Sequence, residues 1–191
     1  MALDAEFVSC VIGKKLNGKD KCKNEAATVS IVNYKYETIL NEKIYHKKGT
    51  FKSPTWLTGI KSGDLDDGIP LNKVQDLVMD KLERKLVIMV NHWADIQALD
   101  LVEKYRKLDI FDLHSAYKTW NYDTEKEEPI SLKRIYKGSF NKIIQQGIHT
   151  SLDDAKHTME IFMNAYTKNI KVNSFYRASN ENDCLNAELF L

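Results

Sequence analysis

The stretch LDAEF, residues 3–7, places Asp4 and Glu6 two positions apart in an otherwise apolar run. Alternation along a strand turns both carboxylates toward one face. On a mostly buried strand they repel each other and are costly to leave unpaired, so they require positive charge, from bound cations or from two lysines. A second group stands in HTSLDDAKHTMEIF, residues 149–162, where His149 precedes two adjacent acids, Asp153 and Asp154. Thr150 with Asp153, and Ser151 with Asp154, both have the spacing of a helix N-terminal cap, which by itself accounts for both acids. Leu152, Ala155, Met159, Phe162 and Tyr166 form an apolar stripe at helical spacing. Asp154 lies nearer that stripe than Asp153, and His157 is expected to face water.

Elements in an α/β order must position these groups. The first strand covers residues 1–8 and is followed by a lysine-rich loop from Lys14 to Lys23. AATVSIVNY and ETILNEKIYH predict two further strands joined by a tight turn near Tyr34–Tyr36, an antiparallel meander. TWLTGIKSGDLDDGIP reads as loop, and Leu71, Val74, Leu77, Val78 and Leu82 predict a helix. KLVIMV, residues 85–90, fits a strand buried on both faces. Ile96, Leu99, Val102 and Tyr105 suggest a helix, LDIFDL a strand, and the acidic YDTEKEEP a solvated loop. Helical turns from Ser131 and a last helix over residues 151–166 complete the pattern.

With 191 residues, 43% hydrophobic and 29% charged, the chain has the composition of one globular domain with a real core. The domain is expected over residues 1–172, with a polar C-terminal tail over 173–191. No apolar run reaches about 18 residues and acids stand at positions 4 and 6, so neither a membrane span nor a signal peptide is expected. Cys10, Cys22 and Cys184 have no paired spacing and no CxxC, which fits reduced thiols in an intracellular protein rather than a disulfide framework or a zinc site; nuclear, nucleolar and cytoplasmic placement stay open. A net charge of +1 does not by itself announce a nucleic-acid binder.

LDAEF, NHWADIQALDL and HTSLDDA, in that order, resemble the three motifs of the DEDDh exonuclease superfamily, in particular the RNA exonuclease 4-like and interferon-induced 3′–5′ exonucleases. SIVNY resembles the second strand of that family, and LTGI, residues 57–60, its S-G-I element. Gln145 and Gln146 stand before His149 as in the family's S-L-…-Q-Q-…-H stretch, and His149 and Asp154 keep an H-x4-D spacing. The resemblance covers residues 1–166 and implies a ribonuclease H-like fold: a mixed five-stranded sheet flanked by helices, strands one to three antiparallel, four and five parallel to the first.

It further implies a metal-dependent 3′–5′ exonuclease that releases 5′-mononucleotides from the 3′-hydroxyl end of single-stranded RNA. Asp4, Glu6, Asp95 and Asp154 are then the metal-site carboxylates and His149 the general base. Two divalent ions about 3.5–4 Å apart stabilise the attacking and leaving oxygens of such a displacement. Hard oxygen ligands suit Mg²⁺ or Mn²⁺. Phe7 occupies the place where the family sets an apolar residue against the terminal base, and Lys133 and Arg134, with Lys137 and Lys142, could meet the substrate backbone. The chain is expected to be a monomer away from membranes.

Three positions depart from the family pattern. Asn91 replaces a glycine, and only Trp93 and Ala94 separate His92 from Asp95, which leaves Asp100 or Asp112 as alternative contributors. Thr28 replaces an arginine, and KSPT, residues 52–55, lacks another. The alternative readings are a DNA exonuclease of repair or proofreading, and a nucleic-acid-binding module that has lost turnover.

Overall fold

The computed structural model describes residues 1–168 and the backbone of residues 176–177. Strands β1 (Ala2–Lys14), β2 (Asp20–Val32) and β3 (Thr38–Lys43) form an antiparallel meander. Strands β5 (Leu86–Met89) and β6 (Asp109–Asp112) add to β1 in parallel. These are the five expected strands in the expected senses. Two further two-residue strands widen the sheet to seven: β4 (Phe51–Lys52) pairs with β1, and β9 (Tyr176–Arg177) pairs antiparallel with β6. Neither carries a long enough apolar alternation to announce itself in sequence. The expected polar tail lies, apart from this backbone pairing, outside the described residues.

Both faces of the sheet are covered. Leu3 and Ala5 of β1 pack with Val74, Val78 and Leu82 of helix α2 (Leu71–Leu82) and with Ile96 of helix α3 (His92–Ala98). Ala2 points to the opposite face, where Phe111 packs with Leu132 and Ile135 of α5 (Leu132–Phe140) and with Ala155 and Met159 of α6 (Ser151–Thr167). Strand alternation then fixes the decisive point: Asp4 and Glu6 share the face of Ala2, beneath α6.

Three local expectations are corrected. The lysine-rich stretch is no loop: β1 and β2 run on as a hairpin, closed by Lys14–Asp20 at 2.6 Å, with Lys52 on the same aspartate at 3.0 Å. Its charges are exposed, so backbone pairing rather than burial forms it. The acidic stretch likewise folds back, as strands β7 (Lys118–Asn121) and β8 (Lys126–Pro129) of a second small sheet. Within the glycine-rich loop, Thr55–Thr58 makes one helical turn, α1, closed by Gly59 at φ 71°. Leu113–Ala116 forms another short helix, α4.

Helix α3 is shorter than its apolar spacing suggests. Asp100 adopts φ 52° and ends it, and Gln75 of α2 donates to the carbonyls of Leu99 and Asp100 at 2.9 and 3.0 Å. Those are carbonyls that a helix end leaves without partners. Among the described residues, no helix is long and apolar enough to cross a membrane.

Candidate active site

Four carboxylates and one histidine converge where β1 passes between α3 and α6. Asp4 and Glu6 come from the middle of β1, opposite Ser30 and Thr28 of β2. Asp95 comes from the first turn of α3 and receives a hydrogen bond from the Ala5 amide, between the two strand acids. Asp154 comes from the first turn of α6. His149, in the loop before α6, sets Nδ1 2.8 Å from Asp154 Oδ2 and 3.1 Å from Glu6 Oε1. The five sequence-predicted groups therefore meet in space, from segments as far apart as residues 4 and 154.

Each is held by local structure. Thr150 caps α6, accepting from the Asp153 amide at 3.2 Å, and its hydroxyl donates to Asp153 at 2.7 Å. That leaves Asp153 exposed and occupied with the cap, while Asp154 turns inward and is 4% exposed. Ser151 ties the helix start to the sheet, its hydroxyl 2.8 Å from Ser30 and 3.0 Å from Thr28. Gln145 donates to Asp154 Oδ2 at 2.9 Å, and Lys133 reaches the Gln145 carbonyl at 3.4 Å. Arg134 is exposed on the same helix.

The altered middle motif is accommodated. Asn91 sits at φ 56°, in the left-handed region. Glycine enters that region freely, and asparagine is among the few other residues that do so readily. Asp112 at the end of β6 then grips the turn, accepting from the amides of Asn91 and His92 at 3.0 Å each and of His114 at 2.8 Å. Burial pushes its carboxyl up, yet the His92 side chain and these amides hold it below its ordinary value. Asp112 is therefore a positioning residue for α3, and Asp100 is an exposed helix-ending residue. The sequence left either as an alternative contributor beside Asp95; an acid ending a strand beside a helix start was the available signal for the role Asp112 has.

His157 does not face water as expected. It packs edge-on against Tyr136 with ring centroids 4.8 Å apart, and its Nδ1 lies 3.9 Å from Asp154 Oδ1. One helical turn places it beside the acid, and α5 covers it.

The electrostatics are those of an uncompensated acidic cluster. Burial, then the charges of Asp95, Asp154 and Glu6, push the Asp4 carboxyl well above its ordinary value. Burial, reinforced by Asp154 and opposed by His149, takes Glu6 to about 7. Burial, then Asp112 and Glu6, raise Asp95 despite the Ala5 amide. No lysine pairs with Asp4 or Glu6 among the described residues, so the two-lysine alternative fails. Asp95 Oδ2 and Asp154 Oδ1 are buried and accept no hydrogen bond. Four buried carboxylates with oxygens left unpaired, and a single imidazole beside them, fit hard divalent cations.

One open cavity of about 280 Å³ reaches the cluster, lined by Glu6, Thr28, Gly59 and Thr150. Another, of about 510 Å³, is lined by Phe7, Asn24, Ala94, Gln97 and Asp100 and by none of the five groups. Phe7 packs partly into the core.

No protein-family model matches the chain. RNA exonuclease 4 of Saccharomyces cerevisiae is 26% identical over 172 residues, 90% of this chain and 56% of that protein. RNA exonuclease 4 of Candida glabrata is 29% identical over 167 residues, 86% and 59% of the respective lengths. The chain is thus similar to the RNA exonuclease 4 proteins. It spans a little over half the length of these relatives. Among solved structures, the S. cerevisiae Pan2 pseudoubiquitin hydrolase–RNA exonuclease module in complex with AAUUAA RNA superposes with a TM-score of 0.68. That match has 17% identity and covers 89% of this chain and 29% of that one. The Neurospora crassa Pan2 catalytic unit gives 0.64 at 15% identity, covering 87% and 26%. The ribonuclease H-like fold is thereby established.

Proposed function

We propose that this domain is a metal-dependent 3′–5′ exonuclease that hydrolyses single-stranded RNA from its 3′-hydroxyl end. The observation that carries the reading is the meeting of Asp4, Glu6, Asp95 and Asp154 with His149 in one buried cluster that opens to a cavity at Glu6. Its RNA exonuclease 4 relatives support the substrate class.

In this reading the four carboxylates hold two divalent ions, Mg²⁺ or Mn²⁺, which when bound offset the charge that builds on the scissile phosphate. The protein's own groups do the rest. His149 accepts the proton of the attacking water, and the carboxylates of Glu6 and Asp154 beside Nδ1 stabilise the imidazolium that forms. Gln145 holds Asp154 in register, and Asp112 holds the turn that carries Asp95. Phe7 offers a face to the terminal base, which suits sequence-independent stacking. Lys133 and Arg134, on the helix next to the Gln145 loop, meet substrate phosphates.

The test is a digestion of 5′-labelled single-stranded RNA, matched DNA and circular RNA, with Mn²⁺ or with EDTA. Stepwise shortening of linear RNA from its 3′ end, abolished by EDTA, is expected. Cutting of the circle, or turnover that survives EDTA, overturns the proposal; faster attack on DNA moves it to the repair alternative.

A further inference from the structure

A second cluster of ligating side chains lies on β1, four residues beyond Glu6, which is about 13 Å along the strand. Cys10 of β1, Glu25 of β2 and His46, just after β3, each offer one ligand atom, all within 4.8 Å of one another. His46 Nδ1 stands 3.5 Å from Cys10 Sγ and 3.9 Å from Glu25 Oε2. Cys10 and His46 are each 8% exposed, and Glu25 forms the solvent side. None of these residues touches the acidic cluster or enters the proposed reaction.

We infer that Cys10, Glu25 and His46 form a zinc site, independent of the hydrolytic centre, that clamps β1, β2 and the segment after β3. Zinc–ligand bonds of about 2.0–2.3 Å at tetrahedral angles place ligand atoms roughly 3.5 Å apart, and the observed spacings need only small closure. The ring is already set for the task. His46 Nε2 lies 2.8 Å from the Ala26 carbonyl. A carbonyl can only accept, so Nε2 carries a proton, and Nδ1, which faces Cys10 and Glu25, is the nitrogen left for a metal. That is the outer hydrogen bond that orients metal-ligating histidines. Phe51 closes the far side of the ring, centroids 5.8 Å apart at 65°.

The donor set decides the metal. One sulfur, one imidazole nitrogen and one carboxylate suit zinc, whereas Mg²⁺ and Mn²⁺ prefer the carboxylate cluster. Three protein ligands leave a fourth position for water on the exposed Glu25 side. Zinc binding forms the S–Zn bond as the S–H proton leaves to solvent: Zn²⁺ and the thiol give the zinc thiolate and H⁺. Binding must tighten as pH rises.

The experiment uses the whole reduced chain, stripped with a chelator and titrated with Co²⁺ and then Zn²⁺. The expected result is a thiolate-to-cobalt charge-transfer absorption that saturates at one equivalent, is bleached by Zn²⁺, and is accompanied by a zinc-dependent rise in Tm. Oxygen ligands of the acidic cluster give no such absorption, so loading there is distinguished, and the outcome is independent of RNA hydrolysis. Cys10→Ser should abolish the signal, while Cys22→Ser and Cys184→Ser should keep it. Glu25→Gln, a near-isosteric change at a partly exposed position, should weaken Zn²⁺ at least tenfold. Absence of the absorption in the wild type, its survival in Cys10→Ser, or an unchanged affinity in Glu25→Gln each overturns the inference.

Discussion

Gln145 donates a 2.9 Å hydrogen bond from Nε2 to Oδ2 of Asp154. The two residues lie nine positions apart, one in the loop that leads to His149 and the other in the first turn of α6. The same oxygen stands 2.8 Å from His149 Nδ1, so a single carboxylate oxygen joins the loop, His149 and the helix.

Gln145→Ala removes the donor that orients Asp154 and leaves the acid itself in place. Outer-sphere partners of metal ligands are worth about 10–100-fold in affinity or activity. The midpoint for Mn²⁺ activation should rise by that order, with RNA binding unchanged. An unaltered metal dependence would remove Gln145 from the machinery.

Asp153 and Asp154 separate capping from site chemistry. Asp153→Asn weakens the Thr150 cap and should cost about 0.5–1 kcal/mol of stability with turnover retained. Asp154→Asn should lower turnover by orders of magnitude. It should not lower the metal-free Tm, because it relieves repulsion on Asp4 and Glu6. Equal turnover numbers for the two variants would break the assignment.

Metal-free protein should lose stability as pH rises from about 4 to about 7. Glu6 has its folded pKa raised to about 7, and Asp4 and Asp95 are raised in the same sense. A raised acid binds its proton more tightly in the folded state, so the stabilising protonation is present at low pH and is lost through this window. Glu6 alone accounts for at most about 3 kcal/mol. Urea melts of the stripped protein at several pH values, with and without Mn²⁺, check it: Mn²⁺ should flatten the fall, and a stability that rises with pH would contradict the charge balance described for the cluster.

His149→Ala should leave RNA and Mn²⁺ binding within a few-fold and reduce turnover by at least about 100-fold, the range for a general base. Single-turnover rates alongside filter binding distinguish loss of chemistry from loss of substrate. A variant at wild-type rate would return His149 to an ordinary loop residue.

Asn91→Gly should be close to neutral, since glycine takes φ 56° without strain. Asn91→Val puts a β-branched side chain in that region and should cost about 1–3 kcal/mol, with turnover falling as Asp95 shifts. Thermal melts and rates on both variants decide whether the altered motif is a working substitute.

Much of this was legible in the chain because its signals are local and periodic. Alternation in LDAEF put Asp4 and Glu6 on one face, helical spacing turned Asp154 inward and Asp153 outward, and apolar runs located the five main strands. Spacing along one element is a property of the sequence, so these expectations held. What crosses between elements was not legible. The hairpin of Lys14–Asp20 and the strands β7 and β8 form through backbone pairing of exposed, charged residues, which leaves no hydrophobic pattern. His157 was turned from water to Tyr136 only by the packing of α5 on α6. Asp112 became the clamp of the α3 turn because β6 lies beside β5 in parallel, a pairing set by the sheet as a whole. Cys10, Glu25 and His46 have no metal-binding spacing in the chain. The meander alone brings them within reach, because strand register, and not sequence separation, sets which side chains meet.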